Sequence, residues 1–388
     1  MSTHPETAVI HLDEGARDDA APLTTPIYAT STFLFANAAE LEAYQRGDGG
    51  KYLYSRYANP SVQSVEAKLA VLEGAERAMV TSSGMAAIST ALFGLLSAGD
   101  EVVCSAAIYG GTLQLIATFL ARFGVAVRFV SLEELADPER MLKPATKLVW
   151  FESPINPTLR CVDIRRVASA CRARGVFTVV DNTFASPVNQ QPLALGADLV
   201  MESATKYLNG HSDVTAGMLA GSAALLERLH PARKLFGGVL EPASAYALGR
   251  GLKTVHLRVA RQNDTAGGVA TWLAADRRVT RVFYPGLPSH PDHVIARGQM
   301  SGFGGMVTFE VPDYAAACRF FDRLQVVQRA ASLGGVESLC SLPLLTSQYG
   351  FTDDQLAAAE VTRGMVRLSI GLEHVDDLIA DLDNALKA

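Results

Sequence analysis

Three short runs, Leu148 to Phe151, Val176 to Val180 and Leu199 to Met201, are apolar throughout except at Thr178, rather than apolar at alternate positions. A strand shielded on one face alternates apolar and polar side chains, so continuous runs predict strands covered on both faces, the signature of a parallel sheet between helical layers. The surroundings agree. Helical patterns over Val62 to Glu73, Gly84 to Leu96 and Leu113 to Phe123 alternate with strands over Arg77 to Thr81, Glu101 to Cys104 and Val125 to Val130. The chain therefore reads as α/β, with a mostly parallel, doubly wound sheet whose ligands gather outside the carboxyl ends of the strands. With 388 residues there is room for two domains. A long helical stretch from Pro242 to Ala275 leads to a smaller α/β unit, with strands at Val279 to Tyr284, Gly305 to Val311 and Met365 to Ile370 and helices at Ala315 to Leu324 and Val375 to Leu386. The expected division is 1–55, an N-terminal arm; 56–242, a large domain; and 243–388, a small C-terminal domain. Within the arm, Thr25 to Phe35 reads as extended and Gly47 to Gly50 as a loop, a segment with little core of its own that should lie on a partner's surface.

The chemistry-bearing residues follow strands. Lys206 stands in Ser203-Ala204-Thr205-Lys206-Tyr207 just after the Leu199 to Met201 run, and Asp181 ends the Val176 to Val180 run. A lysine amine that can form a Schiff base, with a carboxylate to keep a pyridine nitrogen protonated, is what pyridoxal 5'-phosphate (PLP) requires. Ser203 and Thr205 offer hydroxyls to its phosphate. The bland alternative is a surface lysine after a strand. Thr81-Ser82-Ser83-Gly84-Met85 lies where a strand turns into a helix, so the free amides of Gly84 and Met85 and the helix dipole favour an anion, although the same residues also make an ordinary turn. Tyr109, after the Glu101 to Cys104 strand, can stack on a ring or move protons, or simply pack. Arg367, in mid-strand, needs a partner: a substrate α-carboxylate held by two hydrogen bonds, or an internal salt bridge.

Composition removes several other classes. The net charge is only -6, from 34 basic and 40 acidic side chains, which gives no reason to expect nucleic acid or an anionic membrane as partner. No run is long and apolar enough for a membrane span. Met1 to Ala21 has no basic start and no apolar core, and five cysteines without a C-x-x-C pair read as free thiols, so the expected compartment is the cytoplasm. His211, His256, His290 and His293 show no paired ligand spacing, and no metal is expected. The glycines of Ser301 to Gly305 do not carry a strand into a helix, so they are no dinucleotide fingerprint.

Taken together, Tyr54-Ser55-Arg56-Tyr57, Ser82 to Ala87, Tyr109 to Thr112, Asp181 to Phe184, Ser203 to Asp213, Tyr284 to Pro291, Ser332 to Gly335 and Arg367-Leu368-Ser369 resemble the Cys/Met-metabolism PLP enzymes, the transsulfuration group. That group includes cystathionine γ-synthase, cystathionine γ-lyase, methionine γ-lyase and the O-acylhomoserine sulfhydrylases. The resemblance spans nearly the whole chain. It implies PLP-dependent fold type I, a homotetramer built as a dimer of dimers, Lys206 as the Schiff-base residue, Asp181 on the pyridine nitrogen and Tyr109 on the ring. It further implies phosphate contacts from Gly84, Met85, Ser203 and Thr205, with Tyr54 and Arg56 reaching in from the neighbouring subunit, and a substrate carboxylate held by Arg367, Ser332 and Asn156.

The expected activity is γ-elimination or γ-replacement on a homoserine- or homocysteine-derived amino acid, with O-acylhomoserines preferred and a thiol as possible co-substrate. Methionine γ-lyase is the alternative, and a fold type I aminotransferase the alternative from another class. Three departures bear on substrate. Ala331 stands where cystathionine-using members commonly carry glutamate, Gly111 where methionine γ-lyases commonly carry cysteine, and Ser347-Gln348 where many members have Thr-His.

Overall fold

The computed structural model describes residues 4–12, 22–48 and 50–387. Part of the N-terminal readings, at residues 1–3, 13–21 and 49, lies outside the described residues. The first sheet comprises β1 (Arg77–Thr81), β2 (Glu101–Ser105), β3 (Ala126–Val130), β4 (Thr146–Glu152), β5 (Phe177–Asp181), β6 (Leu199–Glu202) and β7 (Gly217–Gly221). Their order is β1-β7-β6-β5-β4-β2-β3, with β7 antiparallel to both neighbours and every other pairing parallel. The continuously apolar runs lie at its centre. Successive residues point to opposite faces: Trp150 and Val179 pack into one layer, Val149, Phe151 and Val180 into the other.

β7 escapes the sequence reading for a physical reason. Its sequence is Gly217-Met218-Leu219-Ala220-Gly221, and terminal glycines read as turn punctuation. In the fold they are needed because backbones crowd there. A Cβ on Gly217 would lie 2.3 Å from the Ser83 carbonyl oxygen, and one on Gly221 2.8 Å from that of Asp198.

The long helical stretch is two helices, Pro242–Leu252 and Val255–Ala275. Arg258, in the second, donates to the carbonyls of Tyr207 at 2.7 Å, Leu208 at 3.3 Å and Gly251 at 2.9 Å, which ties the break between the helices to the turn after Lys206. Beyond it lies a five-stranded sheet of β8 (Arg281–Phe283), β9 (Met306–Glu310), β10 (Gln328–Arg329), β11 (Leu339–Ser341) and β12 (Met365–Ser369), in the order β10-β11-β12-β9-β8. β10 and β11, two and three residues long, are too short to show a period. Helices Tyr314–Arg323 and Val375–Leu386 pack on this sheet through Ala317, Phe320, Leu378 and Leu382.

The N-terminal segment differs from expectation in one part. Pro5–His11 is a helix, and its Val9 is buried among Val62, Val65 and Leu69 of the same chain. Lys68 Nζ donates to the Leu12 carbonyl at 2.6 Å. The start of the arm therefore docks on its own chain. Farther along, Leu23 and Leu34 are almost fully exposed, and Thr32 forms an isolated bridge with Tyr54. Among the described residues no helix is long and apolar enough to cross a membrane.

Candidate active site

The carboxyl ends of β4, β5 and β6 are Glu152, Asp181 and Glu202, and the register sets Glu152 beside Asp181. In front of them opens a cavity of about 1100 Å³, walled by the loops after β1, β2, β4 and β6, by Ala331 to Leu333 and by β12. Lys206, Asp181, Tyr109, Gly84, Met85, Ser203, Thr205, Asn156, Ser332 and Arg367 all line it. The fold thus brings together ten residues spread over most of the sequence. Tyr54 and Arg56 are not in this wall. Arg56 Nη1 donates to the Lys234 carbonyl at 3.1 Å, and its guanidinium lies 5.2 Å from the Tyr57 ring centroid.

Lys206 Nζ donates to Ser332 Oγ at 2.9 Å. Burial, and then the nearby Arg367, lower its pKa to about 8. An amine so placed is neutral over much of the mildly alkaline range, where it can act as nucleophile and base. The sign is testable. In the cofactor-free protein, acylation of Lys206 followed by peptide mapping should rise with pH around a midpoint near 8; a midpoint at the ordinary 10.5 would remove the burial argument.

Arg367 is 7% exposed. Its Nη1 donates to Asn156 Oδ1 at 2.9 Å and its Nη2 to the Ser332 carbonyl at 3.3 Å. These are neutral oxygens, not the internal salt bridge that sequence left open, and a buried guanidinium so provided retains donors for an anion. Asp181 accepts the Thr183 N–H at 3.0 Å, and Thr183 Oγ1 in turn accepts the Ser203 N–H at 2.8 Å. Burial pushes the Asp181 carboxyl above its ordinary range, against the pull of Thr183. A cation set against it would reverse that shift.

The turn from β1 into the helix that follows fits an anion. Ser83 caps the 12-residue helix Gly84–Leu95 by accepting the Ala86 N–H at 3.1 Å, while the amides of Gly84 and Met85 have no acceptor within their own helix. A Cβ on Gly84 would intrude to 3.2 Å from Ser203 Oγ, so glycine keeps the space open. Thr205 Oγ1 donates to the Ala216 carbonyl at 3.1 Å and accepts that residue's N–H at 2.9 Å, which fixes its orientation. The buried carboxylate, the lysine and this cradle are the groups PLP requires.

Tyr109 is 46% exposed and precedes the helix Gly110–Phe119. Position 111 admits no side chain as the ring now lies. A Cβ there would meet Tyr109 Cε1 at 2.6 Å and Met85 Sδ at 2.9 Å. Sequence reasoning assigned no role to Glu152, although a charged residue closing a continuous apolar strand is the same signal that singled out Asp181. Thr183 and Phe184, beside Asp181 in the wall, likewise carried no role.

The family described as Cys/Met metabolism PLP-dependent enzyme matches residues 6–387. The chain belongs to that family. It is an enzyme of the transsulfuration type, and PLP is its cofactor. Within the family the chain is similar to the L-methionine gamma-lyase of Pseudomonas putida, 42% identical over 385 residues that cover 98% of this chain and 97% of that protein. It is also similar to cystathionine gamma-synthase 1, chloroplastic, of Arabidopsis thaliana, 40% identical over 379 residues that cover 97% of this chain and 67% of that protein. The crystal structure of metB from Corynebacterium glutamicum superposes with a TM-score of 0.92 at 38% identity, covering 99% of this chain and 98% of that one.

Proposed function

We propose that the enzyme acts at the γ-carbon of an L-amino acid, by γ-elimination or γ-replacement, and that O-acylhomoserines with a neutral acyl group are preferred. The observation that carries this reading is the charge of the cavity wall. Among the described residues its carboxylates are Glu152 and Asp181, both engaged at strand ends, and position 331 is alanine. A distal ammonium such as that of cystathionine meets no counter-ion there. The wall's cations are Lys206 and Arg367, so a second, distal carboxylate has none to spare either. A neutral ester or thioether fits beside Leu345, Phe351 and Gln355.

In this reading Gly84, Met85, Ser203 and Thr205 hold the cofactor's phosphate, joined by Tyr54 and Arg56 of a neighbouring subunit in a homotetramer. Asp181 faces the ring nitrogen, and Tyr109 covers the ring. When bound, PLP supplies an aldehyde carbon for the substrate amine and a ring that withdraws electron density from the α-carbon. Arg367, with Asn156 and Ser332, orients the substrate carboxylate. Lys206 Nζ, released from its resting bond, takes the α-proton; removal of a β-proton then expels the γ-substituent. Addition of a thiol gives γ-replacement, whereas hydrolysis gives 2-oxobutyrate and ammonia. A second reading, methionine γ-lyase, is favoured by the 42% identity to a protein of that name and by the same uncharged wall.

The deciding experiment is a panel of O-acetylhomoserine, O-succinylhomoserine, cystathionine, homocysteine and methionine, with and without thiol, scored for 2-oxobutyrate and replacement product. O-acetylhomoserine should lead. The substitution Ala331→Glu restores a carboxylate worth about 1.5 to 3 kcal/mol toward a distal ammonium, which should raise relative kcat/KM for cystathionine by about tenfold to a hundredfold. Cystathionine leading in the unmodified enzyme would overturn the substrate assignment. Transamination without 2-oxobutyrate would remove the γ-carbon mechanism.

A further inference from the structure

Glu152 is 4% exposed, and none of the roles above uses its carboxylate. One oxygen, Oε1, accepts the Asn156 N–H at 2.8 Å; the other, Oε2, accepts the Tyr109 N–H at 3.1 Å. Asn156 passes the connection on, since its Oδ1 accepts from Arg367 Nη1 at 2.9 Å. Three segments distant in sequence are joined in one hydrogen-bonded line: the loop after β2, the end of β4 with the loop that follows it, and β12.

Stability alone does not account for a carboxylate here. Burial, and then the charge of Asp181 beside it, push its pKa upward, so holding it ionised to accept both N–H donors costs free energy. A buried charge of this kind is costly, and a neutral side chain of the same shape would avoid that cost. What a neutral side chain lacks is two acceptor oxygens. Tyr109 needs one of them: its own side chain makes no cap for the helix Gly110–Phe119, and its N–H is held by Glu152 Oε2. Asn156 needs the other, because its backbone position decides whether its side chain reaches Arg367.

We propose that Glu152 is a positioning residue whose one carboxylate sets jointly the Tyr109 ring and the Asn156 to Arg367 clamp, coupling cofactor binding to substrate binding. This rests on the roles proposed for those three residues. Glu152→Gln keeps the shape but turns an N–H toward one of the two donors. Three quantities test it: the affinity of the cofactor-free protein for PLP by absorbance titration, the affinity of the holoenzyme for L-alanine from the bound-cofactor spectrum, and Tm. L-alanine has no γ-carbon, so its binding does not depend on which γ-substituent the enzyme removes.

Both affinities should weaken by about tenfold or more, with Tm unchanged or raised. Both remaining within about twofold of the parent overturns the proposal. If Glu152→Gln does not fold, Glu152→Asp keeps the charge but, one methylene shorter, cannot span both donors; it should weaken at least one affinity about tenfold, and no change in either overturns the proposal. In an Asn156→Ala background, Glu152→Gln should cost less L-alanine affinity than it does alone. Equal cost in both backgrounds means that Glu152 merely supports the fold, and also overturns the proposal. Arg367→Lys, run alongside, reports on the carboxylate clamp separately: unchanged L-alanine affinity there removes the clamp reading, while PLP affinity still decides the role of Glu152 toward Tyr109.

Discussion

Replacing Lys206 with alanine should lower kcat by roughly a thousandfold or more, while the protein still binds its cofactor. The loss should be large because, in the proposed mechanism, one amine serves both as the attachment point and as the base, and general acid–base assistance alone contributes about 10²- to 10⁴-fold. Binding should persist because the groups proposed to hold the cofactor, Gly84, Met85, Ser203, Thr205 and Asp181, are distinct from the lysine nitrogen, whose hydrogen bond goes to Ser332. Absorbance of the bound cofactor, together with turnover of O-acetylhomoserine, checks both halves. Hydride reduction of the parent protein and peptide mapping should place the cofactor label on Lys206. Activity within tenfold of the parent in Lys206→Ala, or a label on another lysine, would reject the assignment.

The second large effect combines lost function with retained stability. Arg367→Leu should reduce kcat/KM by about thirtyfold to several thousandfold, since removing one partner of a buried, hydrogen-bonded charge pair costs about 2 to 5 kcal/mol. The change should fall mainly on substrate affinity, because the guanidinium lies beside Asn156 and Ser332 rather than on the cofactor cradle. Stability should move the other way. Burial lowers the Arg367 pKa to about 10, a sign of the cost of keeping its charge in the core, and an apolar side chain of similar size removes that cost. Thermal unfolding of the variant should therefore show an equal or higher Tm. A lower Tm with unchanged substrate affinity would assign Arg367 to the fold instead of the site.

The two variants test different parts of one arrangement. Lys206 sits on the first sheet's β6 turn and Arg367 on β12 of the second, yet Ser332 contacts both, through its hydroxyl and its carbonyl. In the proposed mechanism, release of the Lys206 amine and docking of a substrate carboxylate therefore act on the same short loop. The absence of a side chain at position 111 leaves the space that the Tyr109 ring and the Met85 sulfur border.

What the sequence determined by itself was whatever burial writes locally. Continuous apolar runs marked β4, β5 and β6, and the residues directly after them, Asp181 and Ser203 to Lys206, had to emerge at the carboxyl end of a parallel sheet. The chemistry of that group pointed to PLP without excluding a surface lysine, and the resemblance of motifs along the chain decided between them and supplied the remaining assignments. Tertiary structure alone decided the contacts between distant segments. Asn156 and Arg367 are 211 residues apart, and Tyr109 and Glu152 are 43 apart; neither pairing leaves a periodic trace in the chain. The glycines of β7 point the same way: locally they read as punctuation, and only the close approach of Ser83 and Asp198 turns them into strand residues. Periodicity records which face of an element is buried, whereas the meeting of strand ends and the pairing of buried polar groups depend on crossovers that no local window contains.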